Sequence, residues 1–310
     1  MTHHSKRHIS ARDALRTILN ISMYILFGFI ALILCVMLII NLFTKPSHDR
    51  DWNIDQAILP SVRFDSENPD IVTISDIRNF RYSSTTAYEI AYYDKTFNLQ
   101  NLEKVWYIVE PFSGIPGSAH TMLSFEFIHP ETDTSSTSTS ARDFVSISVE
   151  IRKEKGESFH PIKGLFNQYE IMYVIADEED VVKLRSNYRK DLVYMYPVRT
   201  DKEKARALLT SMLTATQALH DTPEFYNTIT NTCTTNIVSH VNKVTPGRVP
   251  WLNLAVLFPA SSDKLALSLG LLDTNLPLEE ARKKFLINER ALEFNGTETL
   301  KDFSIRVREF

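Results

Sequence analysis

Cys233 is the one cysteine outside the apolar N-terminal run, and it sits in Asn231-Thr232-Cys233-Thr234-Thr235-Asn236, where a polar stretch turns into a helix-forming one. Thr232, Asn231 or Thr230 can cap a helix that runs on through Ile237, Val238 and Val241, because a short side-chain oxygen accepts from the free amides of a first helical turn. A thiol in that turn faces the positive end of the helix dipole, which favours thiolate over thiol. The amides of Cys233 and Thr234 can also hold the oxyanion of an acyl-transfer intermediate, and Asn236, one turn on, can lie beside the thiol. The competing reading is a buried cysteine packed as a small hydrophobe. Cys35 lies in the apolar run, so Cys233 is expected to be a free thiol. In an oxidising compartment a lone thiol needs a reason, and nucleophilic catalysis is one.

A thiol nucleophile needs a base and a group to orient that base, and two strand-like stretches offer them. In Ala119 to Phe127, read with period two, His120, Met122, Ser124 and Glu126 share one face, while Thr121, Leu123, Phe125 and Phe127 share the other. In Phe144 to Arg152 the apolar face is Val145, Ile147, Val149 and Ile151, and Ser146, Ser148, Glu150 and Arg152 oppose it. If these strands pair as a hairpin, His120 and Glu150 come close, since the start of one strand meets the end of the other. A solvated sheet face is the alternative for the same residues. A strand histidine, a strand carboxylate and a helix-start cysteine are the parts of a thiol acyl-transfer site. The histidine takes the thiol proton, and the acid orients and stabilises the imidazolium. Glu126 is the second candidate for that acid.

Other chemistries fit less well. Cys233 and His240 are seven residues apart, about 10 Å along a helix, and His120 and His129 are too far apart on one strand to share an ion, so no metal is expected. A redox role lacks a CxxC pair or a resolving cysteine. A net charge of −4 without a basic field gives no footprint for nucleic acid, and no glycine-rich phosphate loop or other cofactor motif is present.

The elements that must position these residues follow an N-terminal anchor. Residues 1–20 are polar and basic, and 21–43 form an almost unbroken apolar run, as long as the roughly 20 residues a membrane helix needs. No small-residue cleavage site follows, so the run reads as a retained anchor. Basic residues on its N-terminal side place that end in the cytoplasm and the rest of the chain outside it. Residues 44–104 read as a juxtamembrane linker and N-terminal strands, and 105–310 as the thiol acyl-transfer domain. Strands are expected at Ile71–Ile74, Tyr88–Tyr93, Val105–Val109, Tyr169–Ile175 and Leu192–Val198. Glu131 to Arg142 is a Ser/Thr-rich loop. Helices are expected at Glu178–Tyr188, Lys202–Leu219 with Asp201 as cap, Leu265–Leu272 and Leu278–Phe294. The tail Phe303 to Arg308 alternates like an edge strand. The fold class is α+β, an antiparallel sheet with packed helices. Tyr169, Glu170, Arg185 and Asn187 are candidates for substrate contact, with packing as the alternative role for each.

Ala119-His120-Thr121, Ser148 to Glu157, Gly164 to Glu170 and Pro223 to Ile237 together resemble the Lnb N-terminal periplasmic domain family. Asp51-Trp52 and Ile77 to Tyr82 fit it too, so the resemblance spans about residues 50–273. It implies a permuted papain-like core of the NlpC/P60 type, in which the strand bearing the histidine precedes the cysteine helix, as His120 precedes Cys233. The family's named member is a bacterial lipoprotein N-acyltransferase. The resemblance therefore implies an acyl-thioester on Cys233 loaded from a membrane phospholipid, His120 as base, Glu150 as orienting acid, and the amino group of a lipoprotein or peptide as acceptor. It also implies a bacterial inner-membrane protein with its domain in the periplasm. That acyltransferase carries further membrane helices after this domain, whereas this sequence ends at Phe310. A hydrolase of amides or esters near the membrane uses the same residues. A non-enzymatic anchored module that binds a cell-envelope protein or lipid is the alternative from a different class.

Overall fold

The computed structural model describes residues 11–114, 116–129, 142–294 and 300–310. The first ten residues of the basic tail and residues 131–141 of the Ser/Thr-rich stretch lie outside the described residues. Helix α1 (Ala11–Phe43) begins ten residues before the expected start of the apolar run. Its segment Leu15–Ile40 has a mean hydropathy of 3.0 and buries nothing against the rest of the protein. At about 1.5 Å per residue this segment exceeds the roughly 30 Å of a bilayer core.

Among the described residues ten strands follow: β1 (Ser61–Phe64), β2 (Ile71–Arg78), β3 (Arg81–Tyr82), β4 (Tyr88–Glu89), β5 (Tyr92–Asn98), β6 (Leu102–Pro111), β7 (Ala119–Ile128), β8 (Arg142–Arg152), β9 (Glu170–Ala176) and β10 (Tyr194–Pro197). Eight form one sheet in the order β1-β2-β9-β8-β7-β6-β10, with β5 also on β2, while β3 and β4 make a separate ribbon. Within the sheet only the short β2–β9 contact, Arg78 beside Ala176, is parallel. β1, β2 and β5, before residue 105, therefore belong to one sheet with the strands after it. The expected strand Tyr88–Tyr93 is split between β4 and β5.

Helices cover both faces. On one face, Leu123, Phe125, Val145, Ile147 and Val149 pack against Leu208, Leu209, Met212 and Leu213 of α3 (Lys202–Asp221) and Ile237 of α4 (Cys233–Val244). On the other, Trp106, Ile108, Met122, Met172 and Val174 meet Val181 and Val182 of α2 (Glu178–Lys183) and the C-terminal helices. A π-helical turn, Leu184–Arg189, continues α2. Each fully buried Leu, Ile or Phe contributes about 1.5–3 kcal/mol, so two such layers fix the strands on which the polar residues sit.

The remaining helices are short: α5 (Leu254–Leu257), α6 (Ser262–Ser268), α7 (Leu278–Phe285), α8 (Asn288–Leu292) and α9 (Leu300–Arg306). Two expectations fail here. The long helix over Leu278–Phe294 breaks into α7 and α8, because Leu286 bridges to Tyr194, the Ile287 amide donates to the Val193 carbonyl, and Asn288 accepts from the Val193 amide. The tail is the helix α9 and not an edge strand. Phe303 and Val307, four residues apart, are both fully buried, Ile305 between them is exposed, and Arg308 reaches the carboxylate of Glu178.

Candidate active site

Thr232 caps α4. Its hydroxyl accepts from the Thr235 amide at 3.2 Å, and the Thr235 hydroxyl accepts from the Thr232 amide at 2.7 Å. This reciprocal box satisfies two orphan donors and makes Cys233 the first helical residue. Cys233 is 9% exposed, and its Sγ lies 3.7 Å from the Thr234 hydroxyl. That hydroxyl is in turn 2.9 Å from the hydroxyl of Thr121, which ties the helix start to β7. Asn236 faces back into the cap: its Nδ2 donates to Asn231 Oδ1 and to the Thr232 carbonyl, both at 2.8 Å, while Tyr173 donates to its Oδ1. Asn231 donates to the Phe225 carbonyl at 2.9 Å. Both asparagines thus hold the loop that presents the thiol.

The histidine is built from three strands. Glu110 on β6 stands opposite His120 on β7. On the other side the β7–β8 ladder pairs Met122 with Ser148, and two residues further along that register Glu150 comes level with His120. His120 Nε2 lies 2.6 Å from Ser148 Oγ, which donates to Glu150 Oε1 at 2.8 Å. The serine has one proton; giving it to Glu150 leaves its oxygen to accept from Nε2–H, so Nδ1 is the nitrogen able to take a proton. Glu150 therefore orients His120 through Ser148, at 3.8 Å from Nε2 itself.

Arg185, on the π-helical turn, closes the group. Its Nε donates to Glu110 Oε2 at 2.6 Å, its Nη2 to Glu150 Oε1 at 3.0 Å and its Nη1 to the Val181 carbonyl at 2.7 Å. The two carboxylates respond differently. Burial pushes Glu110 up to about 7 despite Arg185 and Arg189. For Glu150, burial is outweighed by Arg185, His120 and Arg78, with the Ser148 hydrogen bond, and its carboxyl stays well below the usual range. Burial, then Arg185, depress His120 to about 3, with Glu150 opposing. His120 is thus neutral at pH 7.

The sheet separates the two groups. Glu110, His120 and Glu150 leave it on the side of Ile108 and Met122, whereas Thr121 leaves it toward Thr234 and the α4 side. They meet at the end of the strands, in a cleft of about 360 Å³ lined by Glu110, His120, Glu150 and Arg185 and also by Thr232, Cys233, Tyr226 and Phe258. Among the described residues no hydrogen bond joins Cys233 to His120.

Other anticipated residues lie elsewhere or play other parts. Glu126 is buried between Trp106 Nε1, at 2.9 Å, and Arg142 Nη1, at 3.0 Å, further along β7 from the cleft. Tyr169 donates to the Ser158 carbonyl at 2.7 Å, and its ring lies tilted beside that of Phe159, a residue of the cleft wall. Glu170 receives the Ser47 amide at 3.0 Å and pairs with Arg50 at 2.8 Å, outside the cleft. Asn187 donates to the Ala291 carbonyl at 2.7 Å and fixes the π-helical turn on α8. Sequence reading missed Glu110 and Ser148. Both were within reach of the period-two argument: Ser148 shares the Glu150 face, and Glu110 ends an apolar strand just before Pro111.

The model of the Lnb N-terminal periplasmic domain matches residues 88–260, which include Glu110, His120, Ser148, Glu150, Arg185 and Cys233. No curated protein and no solved structure matches the chain. With more than half of its residues matched, and with an N-terminal apolar helix long enough to cross a membrane, this chain belongs to the Lnb N-terminal periplasmic domain family.

Proposed function

We propose that the chain is a membrane-anchored cysteine acyltransferase or hydrolase that carries its acyl group as a thioester on Cys233. The observation behind this reading is the shared cleft: a thiol at the first residue of a capped helix and a neutral histidine border one cavity at the end of the sheet. Cys233 Sγ attacks the carbonyl carbon of a phospholipid ester. His120 Nδ1 takes the thiol proton and returns it to the departing alcohol oxygen. The first-turn amides of α4 hold the oxyanion. The thioester then passes its acyl group to the amino group of a lipoprotein or peptide, or to water. Glu150, through Ser148, keeps Nε2 protonated and so leaves Nδ1 as the base. The substrate lies between Cys233 and His120, which fits their lack of a direct hydrogen bond, since such bonds often form only around substrate. His120 preceding Cys233 in the chain accords with a permuted papain-like arrangement, and the basic N-terminal segment with an inner-membrane protein whose domain is periplasmic.

A second reading is an anchored binding module without catalysis. It is favoured by one observation, that the helix carrying Cys233 packs on one face of the sheet while the His120 group projects from the other. Fatty-acid release or transfer from phospholipid vesicles by the reconstituted full chain separates the two. Cys233→Ala abolishes it under the first reading; equal rates in wild type and variant sink that reading.

A further inference from the structure

We infer that the rim of this cleft is a lipid-contacting surface, with the stretch Trp251–Phe258 seated in the bilayer interface and the cleft mouth turned toward the membrane. Val249 to Ser262 carries no charged side chain. Within it Trp251 is 54% exposed, Leu252 69%, Leu254 70% and Phe258 54%. Soluble surfaces scatter such residues singly, and a contiguous cluster marks an interaction site. These side chains are held out by structure: Val249 and Val256 are buried beside Val238 of α4 and anchor the stretch from below. Ile162 and Ile229, also exposed, adjoin the cleft-lining Pro161 and Thr228, so the apolar rim continues around the mouth.

The choice of a bilayer over another occupant rests on where the chain arrives from α1. The segment after α1 docks along the end of β8: the Asn53 amide donates to the Lys153 carbonyl at 2.9 Å, the Lys155 amide to the Asp51 carbonyl at 2.8 Å, and Arg50 pairs with Glu154. Ile151 and Lys153 line the cleft. The Ala260 amide donates to the Gly117 carbonyl, which fixes the apolar stretch to the turn between β6 and β7 at this same end of the sheet. Six residues lie between Phe43 and Arg50, so the seven steps from one to the other reach at most about 25 Å. The short tether therefore brings this end of the sheet, with the uncharged stretch 249–262, and not the opposite end to the membrane. A tryptophan among leucines suits the headgroup boundary, where an amphipathic ring finds both apolar and wet surroundings. The inference is independent of the chemistry at Cys233.

The test uses native fluorescence, because Trp52 and Trp106 are buried and Trp251 is exposed. The full chain is reconstituted in phosphatidylcholine vesicles with or without brominated acyl chains. Bromolipid should quench a component of emission that is lost in Trp251→Phe. In the double variant Leu252→Glu/Leu254→Glu that component should escape bromolipid and become quenchable by aqueous acrylamide, with circular dichroism confirming the fold. Should the double variant fail to fold, the comparison of wild type with Trp251→Phe decides alone. Wild-type Trp251 quenched by acrylamide and not by bromolipid overturns the inference. So does a Trp251 shielded from both quenchers, which would place a protein or a second copy on the patch.

Discussion

Glu110 and Glu150 stand on two strands that flank β7 and share one guanidinium: Arg185 donates to Glu110 at 2.6 Å and to Glu150 at 3.0 Å. His120 lies between the two carboxylates. One arginine, from the helical layer on the face into which these side chains project, thus holds the pair that brackets the proposed base.

Removing Arg185 takes from two carboxylates the cation they share, one of them fully buried and left with Arg189 at 3.9 Å. Breaking a buried pair by deleting one partner costs about 3–5 kcal/mol. Arg185→Met is expected to lose about that much in chemical denaturation of the full chain. Arg185→Lys should lose part of it, since an ammonium cannot copy the forked contact. A loss below about 0.5 kcal/mol, the size typical of a surface change, would show that Arg185 does not hold this group.

Stability should depend on pH with a sign set by His120 and Glu110. The folded pKa of His120, about 3, lies below the 6.5 of a free imidazole, so the unfolded chain binds more protons between them. Its contribution is whole above about pH 6.5 and is lost as pH falls toward 3. Glu150, held low, adds a further acid-side loss below its usual 4.5. Glu110 runs the other way: raised from 4.5 to about 7, it contributes stability that is whole below 4.5 and lost as pH rises through 7. Between about pH 4.5 and 6.5 the two oppose each other, so His120→Gln should leave stability falling as pH rises through this window and Glu110→Gln should leave it rising, each changing the slope by at most about 1.4 kcal/mol per pH unit. Denaturation midpoints across pH for the three proteins check this; unchanged slopes would refute it.

The cap should matter to both stability and chemistry. Thr232→Ala removes the acceptor for the Thr235 amide and should cost about 1 kcal/mol. Thr232→Ser keeps the oxygen and should cost little. If the cap orients the thiol, iodoacetamide labelling of Cys233 in the folded protein should change in Thr232→Ala and remain as wild type in Thr232→Ser. Identical labelling in all three would detach the cap from the thiol.

Much of the site's frame was legible from period and capping. Alternation in 119–127 and 144–152 gave the hairpin faces, and Thr-Cys-Thr-Thr gave the helix start. What escaped depends on pairing between distant segments. Glu110 reads as the end of an apolar strand until the β6–β7 register sets it opposite His120. Arg185 reads as one more helical cation until the π-helical turn aims it at both carboxylates. The same periodicity that gave the faces also placed His120 and Thr121 on opposite sides of β7, and the helix carrying Cys233 could not be assigned to a side without the fold. In the tail, Phe303, Ile305 and Val307 alternate, but packing selects the four-residue spacing of Phe303 and Val307.

An acyl group on Cys233 is the intermediate on which the proposed chemistry turns. The full chain, incubated with phospholipid vesicles and quenched in acid, is digested and the peptide bearing Cys233 is weighed by mass spectrometry. The peptide should carry the added mass of a fatty acyl group, removed by neutral hydroxylamine and much reduced in His120→Ala. An unmodified peptide under conditions where the wild type releases or transfers acyl chains would contradict it.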